Sequence, residues 1–77
     1  MRITYDASVD AAYIYFVEIE TGGVSTTVPG DPASEAFGVN LDFDRNGRLL
    51  GVDIEGASSR LPTAFLERFA NRSVDAS

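Results

Sequence analysis

The chain has 77 residues, of which 12 are acidic and 6 basic, so its formal net charge at pH 7 is −6. Negative charge repels phosphate backbones and anionic lipid headgroups, so this composition argues against a protein that binds nucleic acid or membranes on its own. The sequence contains no Cys, His or Lys. This excludes thiolate and imidazole metal sites, Ser-His or Cys-His nucleophiles and lysine Schiff bases.

A chain of this length forms one domain with a small core, and burial on that scale is marginal for a lone monomer. We therefore expect a homo-oligomer. We also expect residues 1–72 to form the domain and residues 73–77 a frayed C-terminal tail, because the end is small and polar. No apolar run approaches the ~20 residues that span a bilayer, and residues 1–6 lack a signal-peptide core. A soluble, cytoplasmic protein without a cofactor is the expectation.

The first three strands are predicted from short apolar and β-branched runs. Ile3 and Tyr5 alternate with polar neighbours and indicate a first strand, which a turn over residues 6–10 follows. Residues 11–17 are apolar at both parities, which is typical of a central strand covered on both sides. Residues 24–28 are rich in β-branched side chains, and Pro29 ends that third strand.

A β-hairpin is the clearest element of the sequence. Apolar and polar residues alternate strictly over residues 37–43, run into Asn46-Gly47 and resume over residues 49–55. The second of these strands changes phase between Leu49 and Val52. The simplest explanation is a β-bulge near Leu50 and Gly51, which gives Gly51 a role in the backbone geometry and not in ligand contact.

After Gly56 the pattern changes to that of a helix. Ser58 or Ser59 can cap it, and Pro62 suits a first helical turn. Its apolar stripe consists of Leu61, Phe65, Leu66 and Phe69. The elements together predict an α+β fold, in which a twisted antiparallel sheet of four to five strands carries one C-terminal helix on one face.

Carboxylates gather around the hairpin turn and suggest a metal site. Asp42-x-Asp44-x-Asn46-Gly47 matches the opening of a calcium loop, with Asp53 at the twelfth position. An EF-hand calcium site needs flanking helices and a final bidentate Glu, whereas strands flank this turn and an Asp occupies the last position. We therefore prefer hydrogen bonding to the local backbone and assign no catalytic or metal residue. A carboxylate-based metal-binding or hydrolytic protein that uses Asp42, Asp44 and Asp53 is the alternative.

Asp6 and Asp10 flank the first turn, where we expect their side chains to accept backbone hydrogen bonds and not to act as acid or base.

Two tyrosines are the candidate interaction surface. If the alternate residues of the second strand face the helix, Tyr13 and Tyr15 lie on the opposite face, beside Thr4, Asn40 and Asp42. Tyrosine adds a large apolar contact area with little conformational entropy to lose, which favours such a role. Coverage of both rings by a loop is the alternative. Self-association would use this face or an exposed edge strand.

Several segments together resemble a family of small bacterial proteins, the domain-of-unknown-function family 2283. They are Tyr5-Asp6, Asp10–Ile14, Val39–Asp44, Gly47–Ile54 and Ala57-Ser58. Asp53 departs from the pattern, which has Glu after Gly-Val or Gly-Ile. The resemblance implies a small acidic β-rich protein and carries no activity. Some members of the family are encoded near other small proteins in a way that suggests toxin–antitoxin pairing. We therefore expect a protein–protein interaction module that dimerises and binds a basic protein partner, as the antitoxin-like member of a pair.

Overall fold

The computed structural model describes residues 1–69 and 74–75. Its elements in chain order are β1 (Arg2–Asp6), β2 (Ala11–Tyr15), β3 (Thr26–Pro29), β4 (Val39–Phe43), β5 (Leu49–Glu55), α1 (Ala57–Arg60), α2 (Thr63–Phe69) and β6 (Val74–Asp75). The strands form one sheet in the order β3-β4-β5-β2-β1-β6, and every pair is antiparallel. The predicted α+β class and antiparallel sheet are confirmed, with five strands of four to seven residues and a two-residue sixth.

The predicted hairpin and bulge are both present. β4 and β5 pair with Asp42 opposite Gly51 and Phe43 opposite Leu49, so Leu50 is the extra residue on β5. The bulge corrects the phase of the strand, because it returns Leu49 to the face that carries Val52.

The prediction of one C-terminal helix is wrong, since two short helices take its place. Leu61 lies between them in an extended conformation, with φ −95° and ψ 147°. The ring of Pro62 disfavours the helical conformation for the residue before it, so the helix breaks at Leu61 and restarts at Thr63. The predicted cap at Ser58 or Ser59 is also wrong. Gly56 occupies the N-cap position of α1 with φ 65° and contributes no side-chain hydrogen bond there.

A small core lies between the helices and one part of the sheet. Its buried residues are Ile3, Ala12, Ile54 and Ala57, and the half-buried residues Tyr5, Ile14, Val52, Leu61 and Leu66 pack against it. Leu61 and Leu66 therefore bear out the predicted helix stripe, while Phe65 is half-buried and the side chain of Phe69 lies outside the described residues. Of the predicted tail, Val74 and Asp75 pair with β1 as β6, and the rest lies outside the described residues.

Strand pairing divides the side chains of the sheet between two faces. The apolar face carries Ile3, Tyr5, Ala12, Ile14, Thr26, Val28, Val39, Leu41, Phe43, Leu49, Val52 and Ile54. The opposite face, called the tyrosine face below, carries Arg2, Thr4, Asp6, Ala11, Tyr13, Tyr15, Thr27, Pro29, Asn40, Asp42, Gly51, Asp53 and Glu55. The molecule is a slab of 34 × 33 × 20 Å. Neither described helix has the length and apolar character needed to cross a bilayer.

Candidate interaction surface

Tyr13 lies across the sheet and not upright on it. Its ring passes over Gly51, where an added Cβ would come within 2.6 Å of the Tyr13 hydroxyl oxygen. The missing side chain lets the hydroxyl donate a hydrogen bond of 2.5 Å to the Oδ2 atom of Asp42 on β4, while Thr27 on β3 donates one of 2.6 Å to Oδ1. Burial and the bond to Asp42 raise the pKa of the Tyr13 hydroxyl, so it remains a neutral donor at physiological pH.

Tyr15 stands beside Tyr13 and is stacked by an arginine. The two tyrosine ring centroids are 4.5 Å apart at an interplanar angle of 49°. The guanidinium carbon of Arg2 lies 4.0 Å from the centroid of the Tyr15 ring, and Arg2 also pairs with Glu18 at 3.1 Å. The ring of Tyr15 thus already binds one cation through its π face.

A second polar network follows on β4 and β5. The side-chain amide of Asn40 donates to Asp53 at 3.1 Å and to Glu55 at 2.9 Å. The amide separates two carboxylates that stand two residues apart on the same face of β5. One donor group serves both carboxylates, which leaves further oxygen lone pairs open to an incoming donor.

The tyrosine face is acidic. Among the residues of β1 to β5 on this face, four carry carboxylates, namely Asp6, Asp42, Asp53 and Glu55, and the one cationic side chain, Arg2, is paired with Glu18. The structure places Tyr13 and Tyr15 beside Asn40 and Asp42, as the alternation of the sequence predicts.

A groove with a volume of about 640 Å³ extends this face. Asn40 and Glu55 line both the groove and the tyrosine face, and Phe37 and Pro32 also line the groove. Arg60 closes one side, where its Nη1 donates to the carbonyl oxygen of Glu35 at 2.7 Å. The sequence pattern did not reveal this groove, because it forms between the loop 30–38 and α1, which are distant along the chain.

Asp44 has the local role that turn chemistry predicts. Its Oδ1 atom accepts the backbone N–H groups of Asn46 at 2.8 Å and Arg48 at 2.9 Å, and Gly47 takes φ 79°. These backbone donors, with the Arg48 bond first, lower the pKa of the Asp44 carboxyl. Asp44 therefore stabilises the hairpin loop, whereas Asp42 and Asp53 point from the tyrosine face of the strands.

The metal-site alternative finds no geometric support. Within residues 1–69 and 74–75, no three acidic side chains come together in a group that could hold a metal ion. Asn46, the fourth candidate ligand, uses its backbone N–H to close the turn at Asp44.

Asp10 is a structural residue whose partners the sequence did not reveal. Its Oδ1 atom accepts the Ser58 backbone N–H at 2.9 Å and the Tyr5 hydroxyl at 2.8 Å, and Oδ2 accepts the Ser58 hydroxyl at 2.7 Å. The Asp10 carbonyl accepts the N–H of Ala57 at 2.9 Å. Asp10 thus caps α1 from the first turn, and the bonds from Ser58 and Tyr5 lower the pKa of its carboxyl.

Asp6 accepts hydrogen bonds from the N–H and hydroxyl of Ser8, as the turn predicts.

Comparison with known proteins gives a family without an activity. A family model described as a protein of unknown function, DUF2283, matches residues 2–58. No curated protein matches the chain. No solved structure matches it either.

Proposed function

The chain belongs to the DUF2283 family, and we propose that it is a small acidic protein–protein interaction module. Its tyrosine face, extended by the groove, receives a basic segment of a partner protein. The observation that carries this proposal is the combination of two tyrosine rings with Asp42, Asp53 and Glu55 on one side of the sheet.

Arginine recognition supports this choice of partner. Arg2 stacks on Tyr15 at 4.0 Å within the chain itself, which is the contact that an arginine of a partner would reproduce on a neighbouring ring. Arginine and tyrosine are also enriched at the centres of interfaces, where a planar guanidinium pairs with carboxylates in bidentate geometry.

Charge supports a basic partner over a neutral one. Carboxylates on one face steer a cationic protein toward it and repel acidic competitors, so they raise the association rate and the specificity. Asp53 and Glu55 share the single amide of Asn40, so an arginine or lysine could add donors without breaking that bond.

We further propose that the partner is the small protein encoded beside this chain, which makes this chain the antitoxin-like member of a pair. The net charge of −6 supports a basic partner, and the pairing with a neighbouring protein is what the resemblance to the family implies. An acidic module that covers a basic effector needs a complementary surface and no catalytic group of its own.

Co-expression with the product of the adjacent reading frame tests the proposal. The two proteins should co-purify, and expression of the neighbour alone should slow growth, which co-expression of this chain relieves. The double variant D53N/E55Q should weaken the complex at least tenfold, because it removes two charges that face the partner.

Glu67→Gln is the matched control, because it removes a carboxylate from an exposed position of α2, outside the tyrosine face. It should bind like the parent chain. A neighbour that fails to bind, or that binds D53N/E55Q as tightly as the parent, would contradict the proposal.

A further inference from the structure

The apolar face is only partly covered by the helices. α1 and α2 pack over the part built from β1, β2 and the end of β5, where Ile3, Ala12 and Ile54 are buried. The remaining part, called the open half below, consists of Val28, Leu41, Phe43 and Leu49. Two of these residues are exposed, with 45% of Val28 and 39% of Leu49 accessible, and Phe16, which directly follows β2, is 44% exposed.

We infer that the open half is the docking surface for a second copy of this chain. Two copies stack their open halves face to face around a twofold axis and form a sandwich of two sheets. The inference is independent of the proposed function, because it uses the opposite face of the sheet.

The accessible area of the chain supports an occupant of this size. A folded monomer of 8.3 kDa is expected to expose about 4,600 Å². This chain exposes 5165 Å². The chain as a whole thus exposes roughly 600 Å² more than expected, which compares with the ~800 Å² that each partner buries in a standard interface. A second copy that covers the open half would bring the exposure of each chain closer to that of an ordinary globular protein.

The distribution of charge favours contact between two copies through their open halves over contact through their tyrosine faces. Two chains of net charge −6 repel each other, and the repulsion is greatest where carboxylates face carboxylates. The described strand positions of the apolar face carry no charged side chain, whereas Asp42, Asp53 and Glu55 all lie on the other face. Stacked open halves therefore keep the acidic surfaces on the two outer sides of the dimer.

The geometry of the open half suits sheet-on-sheet packing. Its side chains come from the three neighbouring strands β3, β4 and β5, and they alternate with residues of the tyrosine face. Two such faces interdigitate at about 10 Å separation, with strands crossing at about 30°. An isologous contact of this kind closes as a dimer and does not propagate into fibres.

The first test measures molar mass by light scattering after gel filtration, from 5 to 500 µM chain. The parent should reach the mass of two chains at the upper concentrations. Val28→Glu and Leu49→Glu should each weaken the dimer at least tenfold, because each places a carboxylate at the centre of the contact. Val9→Glu is the control, since Val9 is 69% exposed in the turn between β1 and β2 and should not affect dimerisation.

A second test avoids any variant that could unfold the chain. The sequence has no cysteine, so Val28→Cys introduces a unique thiol of nearly the same volume. Its reaction with a maleimide should slow at least fivefold between 5 and 500 µM chain, as the dimer covers it. The thiol of Val9→Cys should react at one rate throughout.

A parent chain that stays monomeric at 500 µM would overturn the inference, and would leave the open half to a different protein. Equal maleimide rates for Val28→Cys at all concentrations would overturn it as well, as would a dimer that survives Val28→Glu and Leu49→Glu. None of these results would change the expected co-purification with the neighbouring protein, so the two proposals can fail separately.

Discussion

The two faces of the sheet differ in how far their side chains find hydrogen-bonding or packing partners within the chain. On the tyrosine face, Tyr13, Asp42 and Asn40 form hydrogen bonds to side chains on other strands. On the apolar face, helix contacts bury the half around Ile54 and leave the half around Val28 exposed. Two short helices can therefore cover only part of a six-stranded sheet. Polar groups can satisfy one another within a face, whereas apolar groups need a second layer.

The largest expected effect is a difference in stability between variants of the covered half and variants of the open half of the apolar face. Ile54→Ala should lower the free energy of unfolding by about 2–5 kcal/mol, because Ile54 is 6% exposed and lies in the core cluster. Leu49→Ala should cost less than about 1 kcal/mol in a monomeric sample, since its side chain is already 39% exposed. Urea unfolding at one low protein concentration measures both, and equal losses would show that the open half is packed as tightly as the core.

Gly51→Ala tests how the tyrosine face is assembled. Its Cβ would come within 2.7 Å of the carbonyl oxygen of Ile14 and overlap the Tyr13 ring, so the ring or the strand must move. The expected cost is about 1–3 kcal/mol of unfolding free energy. Gly47→Ala is the matched variant, because it meets no atom within 4 Å and is strained only by φ +79°, which costs ~1 kcal/mol. A neutral Gly51→Ala would mean that Tyr13 does not lie on Gly51.

Tyr13→Phe removes one hydrogen bond and keeps the ring. The free energy of unfolding should fall by about 1 kcal/mol at pH 7, because Asp42 loses a donor. The raised pKa of Tyr13 favours the folded state below the ordinary tyrosine pKa of 10.0, and this stabilisation is lost as the pH rises further. Unfolding followed between pH 8 and 11 should therefore show an alkaline loss in the parent that is weaker in the variant. Identical alkaline profiles would contradict the Tyr13–Asp42 bond.

Asp10→Asn changes the acid side of the stability profile. The bonds from Ser58 and Tyr5 lower the pKa of the Asp10 carboxyl in the folded state. Its contribution to stability is therefore present above the ordinary aspartate pKa of 3.8 and fades as the pH falls below that value. Thermal melts from pH 2.5 to 6 should show a shallower acid dependence in Asp10→Asn than in the parent. Glu67→Gln serves as the control for loss of one negative charge, and an unchanged acid slope in Asp10→Asn would exclude the capping role.

The strands could be predicted from the sequence because their signals are local. Alternation over residues 37–43, the Asn46-Gly47 turn and the phase change before Val52 fix β4, β5 and the bulge at Leu50 without knowledge of any other element. The same alternation places Tyr13 and Asp42 on one face. The hydrogen bond between them joins residues 29 positions apart and depends on the gap at Gly51, so the pattern alone did not reveal it.

The helical region could be predicted only in part, because the residue that caps α1 comes from a distant part of the chain. The apolar stripe locates Leu61 and Leu66 in the core. The cap of α1 comes from Asp10, which is 48 positions away from Ser58 and gives no local signal. The break at Leu61 does have a local signal, because a proline follows it. The apolar spacing continues past that proline and therefore led to the prediction of one continuous helix.

A single crossed experiment decides whether the two faces of the sheet serve different partners. The chain is co-purified with the product of the adjacent reading frame, and the mass of each complex is measured by light scattering. Val28→Glu should keep the neighbouring protein bound and lose the second copy of this chain, whereas D53N/E55Q should lose the neighbour and keep the dimer. The opposite pattern, or loss of both contacts in either variant, would contradict separate roles for the two faces.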